Sequence, residues 1–218
     1  MTDDRSASRR KFVQGAAIAG AALMTPQAAH AKKQDRAVKT VRGGTAMAND
    51  MTFQEIEKLL DLKPNATCGY VRVTFMSNKR IAPGGLPAPF SGGRPMGSAL
   101  YFMRTPQEPV KLHRIVNDQL YHYYMGDPIE VLLMLEDGST QFHVVGPDLR
   151  KGQLVQLFIP GGTFHTARVI GERRWFLGAS TEWPGVEPAD VELGKADELI
   201  RKFPKVANEI RTWPLPAK

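Results

Sequence analysis

An all-β domain, a barrel or sandwich with helices only at its two ends, is the fold class this chain predicts. Two observations carry that reading. Between Gly97 and Ser180 the chain runs through short strand-like segments: SALYFM, VKLHRIV, QLYHYYM, IEVLLML, TQFHVVG, LVQLFI, HTARVI and WFLGAS. Turn signals break them apart, with Glu136-Asp137-Gly138-Ser139 the strongest hairpin and Gly126-Asp127-Pro128, Gly146-Pro147 and Pro160-Gly161-Gly162 further corners.

The flanking elements follow in order. Thr52 and Glu55 form a capping box, and Phe53, Ile56, Leu59 and Leu60 mark one face of a short helix that ends before Pro64. YVRVTFM then alternates apolar Val71, Val73 and Phe75 with Tyr70, Arg72 and Thr74, the pattern of a strand with one buried face. Residues 81–95 are rich in Gly and Pro, which predicts a loop long enough to serve as a lid or as an arm across a neighbouring subunit. Leu199, Ile200 and Phe203 give Lys195–Phe203 a helical spacing that Pro204 stops.

Size and charge bound the function. A chain of 218 residues, 42% hydrophobic and 23% charged, fits one globular domain with an extension. Its net charge is +7, and the Lys and Arg residues are scattered rather than gathered into a stripe interleaved with aromatics. That argues against a nucleic-acid partner. Cys68 is the single cysteine, which excludes an intrachain disulfide; beside Gly69 at a strand start it reads as a small buried hydrophobe.

The N-terminus carries an address. SRRKFV (Ser8–Val13), a weakly apolar run from Gly15 to Met24, and Ala29-His30-Ala31 occur in that order. They resemble a twin-arginine export signal, predicting engagement of the twin-arginine machinery, cleavage after Ala31 and a periplasmic or otherwise exported product. The apolar run is too short to span a bilayer. The expected organisation is therefore signal 1–31, flexible spacer 32–50, domain 51–213 and tail 214–218.

The residues with chemical potential fall into two groups. HRIVNDQLYHYYMG holds His113, Gln119 and Gly126, and PGGTFH holds Pro160, Gly162 and His165. Their spacing resembles the two half-motifs of the cupin superfamily. Ile115 stands where the first half-motif has a second His, and Gln119 stands where it has Glu. From Thr52 to Trp213 the chain is also similar to an uncharacterised branch, the fifth cupin family of unknown function. That resemblance rests on EIEKLLDLKP, GYVRVTF, SALYFM, HRIVNDQLYHYYMGDPIEVLLM, DGS, GPDLRKGQLVQLFIPGGTF and WPGVEPADVEL. It implies a double-stranded β-helix, the jelly-roll barrel also found in deoxysugar epimerases and germins, usually as a homodimer. Two departures affect acid–base roles: the branch's Asp-Glu-x-Trp is here Asp118-Gln119-Leu120-Tyr121, and its Glu-Gly-Gly is Thr67-Cys68-Gly69. His165 stands where that branch often has no His.

Strand parity puts His113 and Ile115 on one face, and Gln119, Tyr121 and Tyr123 on one face of the next strand. In the cupin register both faces look into the barrel, with His122 and Tyr124 outward. His113, Gln119 and His165 are then a candidate ligand set for a divalent transition metal (Fe, Ni, Cu, Mn or Zn). A metal-free alternative is epimerase-like chemistry on a sugar-like molecule, with His113 as base, Tyr121 or Tyr123 as acid, and Arg72 with Gln119 binding substrate. A third is a barrel that binds a small polar ligand without catalysis. Asp190 and Glu192 read as turn or subunit-contact residues, His143 as structural, and Trp175 and Trp183 as core or rim.

Overall fold

The computed structural model describes residues 51–172 and 174–215. The expected signal and spacer, with the export motif and Ala31, lie outside the described residues, as does the tail beyond 215. The first helix, α1 (Phe53–Leu60), begins with the expected capping box, Thr52 accepting from the Glu55 backbone N–H while the Glu55 side chain accepts from Thr52. Strands β1 (Lys63–Asn65), β2 (Gly69–Met76), β3 (Arg80–Ile81), β4 (Arg94–Pro95), β5 (Ser98–Arg104), β6 (Val110–Ile115) and β7 (Asp118–Gly126) follow. Then come β8 (Ile129–Met134), β9 (Thr140–Val145), β10 (Gln156–Ile159), β11 (Phe164–Val169), β12 (Phe176–Trp183) and β13 (Val191–Leu193). Helices α2 (Ala196–Lys202) and α3 (Ala207–Thr212) close the domain.

The strands form two antiparallel sheets, β1-β2-β5-β12-β7-β10 and β13-β6-β11-β8-β9, with β3 and β4 paired separately. This is the all-β jelly-roll barrel with flanking helices that the sequence predicts. Alternation along β5, β7 and β12 sends Phe102, Tyr121 and Phe176 into the space between the sheets, where they pack with Ile129, Val131 and Ile159. The outer faces are covered differently. Ile56 and Leu62 pack with Met103 and Leu177 of the first sheet and with Trp175 just before β12; Leu199, Phe203, Ile210 and Trp213 lie over Leu112, Leu132 and Met134 of the second.

Three details differ from the pattern read in the sequence. Val73, Phe75 and Met76 are 57%, 55% and 45% exposed, because β1 pairs only with the first residues of β2 and a register shift falls between Val73 and Phe75. Leu59 is exposed, so only part of the apolar stripe of α1 is buried. Pro204 ends α2 but opens a single 3-10 turn that leads back into helix, and α3 supplies Ile210 and Trp213 to the outer core. The glycine- and proline-rich loop is tied down at its ends by β3 and β4, whose Arg80 and Arg94 reach Glu187 and Asp190.

Candidate functional site in the barrel interior

His113 and His165 are brought together by strand pairing. They are direct register partners across β6 and β11, and a bulge just beyond them lets both Val110 and His113 face the interior. Their ring centroids are 4.3 Å apart and the residues are 3% and 0% exposed. Each ring is anchored alike: His113 Nδ1 lies 2.7 Å from the Lys111 carbonyl and His165 Nδ1 3.2 Å from the Thr163 carbonyl. A carbonyl only accepts, so both Nδ1 atoms carry the proton and both Nε2 atoms present a lone pair to the interior.

Those lone pairs have partners. The Tyr121 hydroxyl donates to His165 Nε2 at 2.9 Å, and the Cys68 thiol lies 4.0 Å from His113 Nε2. Burial, with the neighbouring His113 adding to it, pushes the His165 pKa well below its usual value. Burial also drives the Tyr121 phenol well above its own, with Cys68 adding to the effect. At neutral pH this second pair is therefore an uncharged imidazole and phenol. Cys68 behaves in the opposite sense. Burial raises its pKa, but the hydrogen bond and charge of His113, with Arg104 and Thr67, outweigh that and bring the thiol down to about 7.

Arg104 completes the group. It ends the inward-facing row of β5, is 1% exposed, and none of its three guanidinium nitrogens has a hydrogen-bond partner among the described residues. Burial, partly opposed by Cys68, Tyr121 and Glu108, lowers its pKa to about 10, so it stays cationic at neutral pH. Its side chain lies against Gly69, where φ is +67° and a Cβ would collide with Nη1. Glycine at 69 is what admits a guanidinium beside the Cys68 turn.

With this geometry in view, comparison with known proteins places the fold. Residues 54–194 match the family described as Cupin superfamily (DUF985). The chain belongs to that family. Over 123 residues, 54% of the chain, it is 24% identical to the uncharacterized protein YML079W of Saccharomyces cerevisiae, spanning 61% of that protein. Among solved structures, a hypothetical protein from Leishmania major superposes with a TM-score of 0.69 at 23% identity, covering 76% of this chain and 99% of that one. Protein SO0799 from Shewanella oneidensis gives 0.65 at 20% identity, with 77% and 99% covered. These likenesses describe the fold.

As a metal centre, this cupin has a poor donor set. Gln119 is buried on the interior face, but its Oε1 accepts from the Ser180 hydroxyl at 3.3 Å. Among the described residues no group of three or more His, Cys, Asp and Glu side chains is placed to hold a metal ion. Two imidazoles, one of them hydrogen-bonded to a phenol, beside an uncompensated guanidinium do not fit a resident divalent cation.

The other expected site residues divide. Tyr121 joins the group. Tyr123 is half-buried and spends its hydroxyl on the Gly126 carbonyl at 2.7 Å. Arg72 is corrected outright: it stands opposite Tyr101 on the outer face of the first sheet and donates to the Leu60 carbonyl at 3.2 Å. The parity of β2 sends its side chain away from the interior, and the interior cation is Arg104 instead. Cys68, read as a mere small hydrophobe, is partly buried and contacts His113. Glu182 went unnoticed in the sequence; it is 3% exposed, accepts from Ser98 Oγ at 2.6 Å, and burial raises its pKa despite that bond and one to Ser180. Asp190 is bound by Arg94 Nη2 at 2.7 Å and Glu192 by Arg114 Nη2 at 2.7 Å, so both carboxylates are structural. His122 pairs with Thr181 and Gln156, and His143 with Gln141, away from the interior group.

Proposed function

We propose that this cupin binds a small anionic molecule in the barrel interior and works without a resident metal. The observation that carries the reading is Arg104, a buried guanidinium with every nitrogen unpartnered among the described residues. Holding a bare charge out of water costs several kcal/mol, on the order given for buried ions, and a carboxylate ligand would offset it with paired N–H···O bonds. His165 and Tyr121, both neutral and hydrogen-bonded to each other at 2.9 Å, would lie beside the ligand, and the phenol would have to turn from His165 Nε2 to the ligand to donate its proton. That turn would free His165 Nε2 to accept a proton from a carbon next to the carboxylate.

The test is thermal denaturation of the full mature chain against a panel of acetate, malonate, lactate and inorganic phosphate. A carboxylate that raises Tm in the parent and not in Arg104→Met supports the reading; a panel without effect sinks it. Stoichiometric metal in protein purified from its own export route would also overturn it. Solvent deuterium appearing at carbon in a bound carboxylate favours isomerase-type chemistry over binding alone. The chain is further proposed to leave the cytoplasm by the twin-arginine route and to act as a homodimer, the former supported by the order of its N-terminal motifs and the latter by the bare apolar edge of β2.

A further inference from the structure

We infer that Cys68 is a peroxide-reactive thiol, activated by His113 and Arg104 and oxidised to a sulfenic acid by a small hydroperoxide. This goes beyond the anion-binding reading, with which it shares Arg104, and adds the contacts of Cys68 with His113 and Thr67. His113 has its Nδ1 proton committed to the Lys111 carbonyl at 2.7 Å, which leaves Nε2, 4.0 Å from Sγ, as the acceptor for the thiol proton. The Thr67 hydroxyl, also bonded to Asn65 Oδ1 at 3.0 Å, approaches Sγ at 3.5 Å and supplies a second polar contact. Arg104 lies against Gly69, the neighbour of Cys68, and among the described residues none of its guanidinium nitrogens has a partner, which leaves them to bond an incoming oxygen.

Access and size point to the electrophile. Cys68 is only partly buried, whereas Tyr121, His165 and Phe102 are 1%, 0% and 0% exposed. A reagent arriving on that side therefore reaches Cys68 before the packed rings, which favours a small one. The thiolate attacks one oxygen of the hydroperoxide, an S–O bond forms as the O–O bond breaks, and sulfur is oxidised by two electrons. The departing oxygen, held by the guanidinium, takes the proton stored on His113 Nε2 and leaves as water or an alcohol. Because the chain has no second cysteine, the sulfenic acid awaits an external thiol: two equivalents return Cys68 to the thiol, giving one disulfide and one water.

The experiment treats reduced full-length protein with hydrogen peroxide and dimedone and follows intact mass. A single dimedone adduct is expected, mapping to Cys68 and absent from Cys68→Ser, forming about tenfold or more faster than on N-acetylcysteine. Arg104→Met and His113→Gln should each slow it; circular dichroism shows which variants fold, and His113→Gln carries the test if Arg104→Met does not. A parent rate equal to that of N-acetylcysteine, or one unchanged in a folded variant, overturns the proposal. The adduct is read whether or not carboxylates raise Tm, and its dependence on His113, which the anion-binding reading does not use, separates the failure of one reading from the failure of the other.

Discussion

Arg104 and Glu182 mark the two ways in which the interior departs from an apolar core. Replacing a buried, unpartnered charge by an apolar side chain of similar length is commonly neutral or stabilising by about 1–4 kcal/mol. Arg104→Met is therefore expected to match or exceed the parent in urea denaturation without ligand, even as it loses the carboxylate response. A clear loss of stability would mean that the guanidinium has a structural partner. For Glu182 the folded-state pKa is raised, chiefly by burial, above that of the unfolded chain. Such a group contributes stability that is fully present below the unfolded pKa and lost as pH rises through the folded one. Glu182→Gln should accordingly be more stable than the parent at neutral pH, with the difference shrinking in acid; denaturation at both pH values checks the sign. At this scale His113 and His165 were legible from motif spacing. Arg104 and Cys68 were not, because an arginine ending one strand run and a cysteine preceding another carry no pattern until their strands pair.

Strand and helix signals told most of the story of the elements. The Thr52 capping box and the turn at Asp137-Gly138, where Asp137 Oδ1 accepts from the Ser139 N–H at 2.8 Å, are local devices that short-range chemistry specifies. Thr52→Ala is expected to cost about 1 kcal/mol by chemical denaturation. Long-range features were not legible. The bulge that turns both Val110 and His113 inward exists only where β6 meets β11. Helix α3 is too short to declare itself, yet it buries Ile210 to 1% against Leu112 and Met134. Ile210→Ala should cost about 2–5 kcal/mol, as for other fully buried aliphatic truncations, whereas Leu59→Ala on exposed α1 should cost less than about 0.5 kcal/mol.

For the molecule as a whole, the exposed row of Val73, Phe75 and Met76, with Met96 54% exposed, is the apolar surface that the proposed homodimer would cover. Phe75→Glu is expected to yield a monomer in sedimentation while keeping the parent far-ultraviolet dichroism; a parent that already sediments as a monomer removes the dimer. Export is checked by the N-terminus of periplasmic protein, expected at Lys32. The amino-acid sequence by itself determined the strand succession, the turns, the capped first helix and the two histidines, since each is written in local propensity or in motif spacing. Only the tertiary structure decided what surrounds those histidines. Which side chains share the closed interior depends on register between strands far apart in the chain, where a shift of one residue sends an arginine to solvent, as at Arg72, or leaves it buried without a partner, as at Arg104.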